Sequence, residues 1–134
     1  MHKTTDDARQ FQAVSNTSMH DVVGTVCLYY HVRISDLMSK SRLREYTWPR
    51  QVAMYIIYAY SHRSRLEIAR HFERDPSSVS AAFDAVTYRM EIDPAYYAGV
   101  EQVLEILRRY HDKCGANRAK IGGAPPKVFA ARFN

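Results

Sequence analysis

The fold class predicted for this 134-residue chain is all-α, with about six helices, and three features carry that expectation. Apolar residues recur at helical spacing in every longer segment. An acidic residue followed by proline opens a new apolar stripe at two places, Asp75-Pro76 and Asp93-Pro94. No stretch shows the period-two alternation of a half-buried strand. Apolar residues make up 46% of the chain, including ten tyrosines and five phenylalanines, so a packed core of one domain is feasible.

Residues 1–19, rich in Thr, Asp, Gln, Ser and Asn, read as a loose polar end in which Phe11 and Val14 can dock. From His20 or Asp21, Val22, Val23, Val26, Cys27 and Tyr30 predict a helix to about Tyr30. Val32-Arg33-Ile34 is a connection, after which Ser35 can cap a brief helix from Asp36 to Ser39. A basic loop follows and ends at Pro49. Proline suits the first position of a helix because its missing N–H would have no partner there. Val52, Ala53, Ile56, Ile57 and Tyr60 mark that helix as the most buried.

Ser61 to Ser64 is a polar break. Ser64 and Glu67 have the form of a capping box opening a short helix, Arg65 to Phe72, with Leu66, Ile68, Ala69 and Phe72 inward. Asp75 as N-cap and Pro76 as first residue start the next helix, which runs to about Met90 or Glu91. Its core stripe is Val79, Phe83, Val86 and Met90. Asp93-Pro94 starts a last helix to about His111, with Tyr97, Val100, Leu104 and Leu107 as its stripe and Gly115 as its stop. The expected organisation is a polar end (1–19), a helical domain (20–112) and an unstructured basic tail (113–134).

The formal charge is +5, and its distribution is uneven. Residues 113–134 carry Lys113, Arg118, Lys120, Lys127 and Arg132 with no acid, while Lys40, Arg42, Arg44 and Arg50 crowd the loop before the buried helix. Both features favour a polyanionic partner. Two distant cysteines without a Cys-x-x-Cys pair argue against a disulfide scaffold or a cysteine zinc site and suit a cytoplasmic setting. The longest apolar run, Val52 to Tyr60, is too short to span a bilayer. The six histidines show no metal spacing, and no nucleophile–base arrangement stands out, so the expectation is a protein without metal, cofactor or catalysis.

Lys40, Arg42 and Arg44 read either as phosphate and minor-groove contacts or as a solvated charged loop. Arg50 and Gln51, placed just inside a helix start, read as phosphate contacts or as a surface pair, with Arg50 bridging to a carboxylate such as Glu45. Asp75 is chiefly a cap that can also accept from a cytosine amino group or orient Arg74. Ser77 and Ser78 offer hydroxyls to phosphate or base edges from the first turn, where serine is also ordinary. Arg63, Arg65 and Arg70 either add phosphate contacts or are neutralised by Glu67 and Glu73. A basic loop followed by a helix opening with short hydrogen-bonding side chains is how a helix-turn-helix grips and reads duplex DNA.

These residues resemble a known family, the C-terminal DNA-binding domain of the bacterial replication initiator DnaA. The resemblance runs in order through Tyr29-Tyr30-x-Val32, Asp36-Leu37-x-Ser39-Lys40-x-Arg42-x-Arg44, Pro49-Arg50-Gln51-x-Ala53-Met54, Ser64, Glu67-Ile68, Phe72 and Arg74-Asp75. It implies a DnaA-like, Trp-repressor-like helical bundle in which Arg42 enters the minor groove and the helix from Pro76 lies in the major groove. The chain departs from the family's Gly-Gly-Arg-Asp-His-Thr-Thr-Val pattern. It is one residue shorter before the arginine, with Glu73 in place of the two glycines. Pro76 stands at the base-contacting histidine, and Ser77 and Ser78 replace threonines. The form Arg-Asp-Pro-Ser-Ser-Val-Ser is also similar to DnaA-like domains of transposase-type proteins. No Gly-x-x-x-x-Gly-Lys-Ser/Thr sequence is present, so an ATPase module is not expected.

The resulting expectation is a double-stranded DNA-binding regulator of transcription or replication, with DNA contacts from Lys40, Arg42, Arg44, Arg50, Gln51, Arg74, Asp75, Pro76, Ser77 and Ser78. The alternative is a protein-interaction module, or a targeting subunit of a replication or transposition complex, partnered by a replication or transcription protein.

Overall fold

A computed structural model describes the backbone of residues 3–120 and the side chains of residues 8–113. Its helices are α1 (Lys3–Ser15), α2 (Met19–Tyr30), α3 (Ile34–Leu37), α4 (Arg44–Ala59), α5 (Arg65–Phe72), α6 (Pro76–Ile92) and α7 (Pro94–Lys120). The described part is all-α. Helix α4 is central: it packs against α6, α2, α3, α5 and α1, and it buries Val52, Ala53, Met54, Ile56 and Ile57.

Several boundaries follow from local chemistry. Ser64 accepts from the Glu67 N–H at 3.1 Å while the Glu67 carboxylate accepts from the Ser64 N–H at 2.8 Å, the expected reciprocal box. Asp93 caps α7 through its carboxylate, which accepts from Ala95 and Tyr96 at 3.0 and 3.3 Å. Ser18 caps α2, accepting from the Asp21 N–H at 3.0 Å. The brief α3 begins two residues earlier than a Ser35 cap allows: its N-cap is Arg33, without a side-chain bond.

Pro49 is not the first residue of its helix. Helix α4 starts at Arg44, and the Leu43 carbonyl accepts from Tyr46 and Thr47, both at 2.9 Å. Proline cannot donate to the Glu45 carbonyl, so one helical bond is forgone. Trp48 packing offsets it. Its ring meets Tyr96 of α7 edge-on at 5.7 Å, and the guanidinium carbons of Arg44 and Arg89 lie 4.7 and 4.1 Å from it.

Two inward assignments also change. Leu66 is 48% exposed because it lies about 200° round the helix from Ile68. On α7, Tyr97 is exposed, and the inner stripe is Val100, Val103, Leu104 and Leu107, with Tyr96 packed beside it.

The largest correction is at the N-terminal end. Residues 3–15 form a helix that packs along α7 and against α4, with Val14 fully buried and Ala13 nearly so. Among its described side chains Gln10 and Ser15 are buried despite their polarity, and three side chains tie the helix end down. Ser15 donates to the Tyr60 carbonyl at 3.1 Å, Thr17 to the Ala13 carbonyl at 2.6 Å, and Arg63 to the Thr17 carbonyl at 2.8 Å. At the other end α7 continues through Gly115 to Lys120. A single glycine costs a helix only about 1 kcal/mol relative to alanine, which does not by itself terminate it. The rest of the expected basic tail, 121–134, lies outside the described residues.

Val14→Ala is expected to lower stability by about 2 kcal/mol in urea denaturation. An unchanged midpoint would mean that α1 does not belong to the core.

Candidate nucleic-acid interface

The helix-turn-helix is formed by α5, the turn Glu73–Asp75, and α6. Phe72 anchors the end of α5 in the core. Glu73 then turns left-handed (φ 56°, ψ 50°), which lets the Arg74 N–H reach the Ala69 carbonyl at 2.8 Å and the Glu73 N–H the Arg70 carbonyl at 3.2 Å. Asp75 takes extended backbone, as a residue before proline prefers, and α6 starts at Pro76. The Asp75 carboxylate makes no capping bond, contrary to expectation. It lines the cleft instead.

That cleft separates the loop 40–42 from the turn and the start of α6. Lys40, Ser41, Arg42, Thr47, Arg50, Arg70, Glu73, Arg74, Asp75 and Ser78 line it. Residues 35 positions apart in sequence are thus brought to one surface by a set of cation-to-carbonyl bonds. Lys40 Nζ donates to the Glu73 carbonyl at 2.7 Å. Arg74 donates to the Ser39 carbonyl at 2.7 Å and to the Phe72 carbonyl at 3.2 Å.

Arg50 is only 6% exposed, and its guanidinium donates to the carbonyls of Leu37 (2.6 Å), Ser39 (2.9 Å) and Ser41 (3.3 Å). Burial, and after it the neighbouring Arg74 charge, pushes the guanidinium below its ordinary value. Arg50 therefore does not bridge to Glu45, and it is a strut beneath the basic loop rather than an exposed phosphate contact. Its place in the second turn of α4 also removes it, with Gln51, from the free N–H groups of the helix start.

The remaining expected residues divide clearly. Arg42 is exposed, and among the described residues its side chain enters no hydrogen bond or ion pair. Pro76 and Ser77 are exposed on the first turn of α6, next to Ser78 in the cleft. Arg44 is not in the cleft. It lies over Trp48 and lines a separate depression with Tyr30, Tyr46 and Tyr96. Gln51 accepts from Arg89 at 2.7 Å and is also elsewhere. Of the three undecided arginines, Arg70 lines the cleft, Arg65 donates to Ser80 at 2.7 Å, and Arg63 is engaged with α1. Thr47 was not anticipated. Its position on the loop-facing side of α4 became legible only once that helix was known to start at Arg44.

A helix-turn-helix whose second helix opens beside an exposed basic loop defines a DNA-binding helix-turn-helix protein. Comparison with known proteins gives the particular family. A family model described as bacterial dnaA protein helix-turn-helix matches residues 19–86, from the start of α2 into α6. This chain belongs to that family. Relatives named chromosomal replication initiator protein DnaA include those of Ruegeria sp. (34% identical over 93 residues, 69% of this chain and 19% of that protein), Gluconobacter oxydans (33% over 91 residues, 67% and 19%) and Caldanaerobacter subterraneus subsp. tengcongensis (26% over 85 residues, 63% and 19%). The match thus spans about a fifth of the length of these relatives. No helix among the described residues is long and apolar enough to cross a membrane.

Arg50→Met is expected to cost about 3 kcal/mol of stability, because three carbonyls lose a charged donor in a dry setting. Arg50→Lys should not restore it, since one ammonium cannot span all three carbonyls. Wild-type stability of the lysine variant in urea denaturation would contradict the strut role.

Proposed function

We propose that this chain binds double-stranded DNA in a sequence-selective way and regulates transcription or replication. The observation that carries this reading is the gathering of Lys40, Arg42, Arg70, Arg74 and Ser78 at one cleft beside the exposed start of α6. In the proposed complex one strand of the phosphate backbone runs along the cleft. Arg42 enters the minor groove, where a weakly hydrated planar cation suits the strong negative potential. The first turn of α6, with Ser77 and Ser78, approaches the major groove, and its N–H groups favour phosphate at the groove edge. Lys40, Arg70 and Ser78 contact backbone phosphates, while Arg50 and Arg74 hold the loop and turn at a fixed separation. The cationic residues 113–134 add sequence-independent attraction.

A second reading, a module that binds a replication or transcription protein, draws on a different face. Leu28, Ile34, Ile106 and Tyr110 expose apolar surface around one depression between α2, α3 and α7.

Arg42→Ala is expected to weaken duplex binding about tenfold or more in fluorescence anisotropy, with an unchanged thermal melt. It should also reduce the slope of log affinity against log salt by about 1. Equal affinity in wild type and variant would remove Arg42 from the interface and with it this mode of binding.

A further inference from the structure

Glu73 has a backbone role in the turn, but nothing so far explains its side chain. It is one of two non-glycine residues with positive φ among those described, the other being His31. The left-handed conformation is what ends α5 and swings the chain into α6, and glycine would supply it without steric cost. A side chain here strains the turn, since Cβ crowds the main chain in this region. The fold therefore asks for a left-handed residue and gives no reason for a carboxylate.

The surroundings do. Glu73 is exposed and lines the cleft with Lys40, Arg42, Arg70 and Arg74. Its carbonyl accepts from Lys40, yet among the described residues its carboxylate enters no hydrogen bond or ion pair. Arg70 stands three residues earlier on the same short helix, a spacing that permits pairing, and the pair is not made. An unneutralised negative charge thus sits where the proposed phosphate backbone runs.

We propose that Glu73 is a specificity-determining residue of this interface that acts by repulsion, lowering the affinity of the cleft for duplex DNA of arbitrary sequence. Sequence-independent binding comes from cation–phosphate attraction and falls as that attraction is cancelled. A fixed like charge at the backbone track subtracts from every complex, and loose complexes have no base contacts to offset it. Discrimination between partners is commonly built from such unfavourable elements as well as from favourable ones. The inference rests on the DNA-binding reading given above.

Two variants of the full chain separate charge from strain. Glu73→Gln keeps size and removes charge. Glu73→Gly removes both charge and strain. On a random-sequence duplex near 0.1 M salt, about the ionic strength at which screening reaches roughly 10 Å, both variants are expected to bind about three- to tenfold tighter than wild type. The advantage should shrink as salt rises. Only the glycine variant should also melt several degrees higher. If the glutamine variant binds no tighter while wild type binds and Arg42→Ala weakens it, the repulsion is absent and the DNA-binding reading survives. Tighter binding by the glycine variant alone would assign the effect to backbone strain and overturn the proposal. If neither wild type nor variants retain duplex, the DNA-binding reading fails and this inference falls with it.

Discussion

The Arg50 guanidinium lies inside the domain and donates to three main-chain carbonyls, those of Leu37, Ser39 and Ser41, which belong to the end of α3 and the beginning of the basic loop. A buried cation without carboxylate neutralisation is tolerated only where its donors are matched one by one, because desolvation of a charge costs several kcal/mol. The planar fork of arginine matches its Nε and Nη2 donors to three carbonyls, a span that the single ammonium of lysine does not cover. The Ser39 carbonyl accepts from Arg74 as well, so the same atom links the loop to the turn of the helix-turn-helix. The loop that carries Arg42 is thereby tied to the turn before α6 by guanidinium-to-carbonyl bonds, to which exposed Lys40 adds its bond to the Glu73 carbonyl. In the proposed complex, a rigid spacing between Arg42 and α6 is what engaging adjacent grooves together requires.

Around that joint the fold supplies support. The Trp48 ring, with Arg44 and Arg89 near it and Tyr96 at its edge, ties the start of α4 to α6 and α7. The matched family region covers residues 19–86, and α1 and the whole of α7 lie outside it. These two helices pack on each other, and Arg9 pairs with Asp112 across them at 3.3 Å. That exposed pair contributes little by itself. The burial of Val14, Val103 and Leu107 carries the contact energetically.

Local signals in the chain were a good guide where the chemistry was itself local. The Ser64–Glu67 box, the Pro76 start and the Asp93 cap are each set by neighbouring residues, and each stands where the sequence puts it. The failures share a non-local cause. Helix α1 has a weak apolar stripe and becomes intelligible only through its partners α7 and α4. Pro49 marks a helix start by propensity, yet Trp48 packing against Tyr96, 48 residues away, carries the helix back to Arg44. Of the residues gathered at the cleft, the loop cations Lys40 and Arg42 and Ser78 of the first turn of α6 belong to contiguous motifs that the sequence displays. The inward direction of Arg50 was not legible, because an arginine in a basic cluster reads as surface until the carbonyls that receive it are known. The placement of Arg44 and Gln51 away from the cleft was hidden in the same way, since it follows from their contacts with Trp48 and Arg89.

The most direct measurement is selection of a randomised duplex pool on the purified chain near physiological salt, with sequencing of the retained fraction. The proposed placement of Arg42 in the minor groove and of α6 in the major groove predicts an enriched motif with a core and a flanking A·T-rich position at constant spacing. A retained pool indistinguishable from the input, or no retention at all, would contradict it.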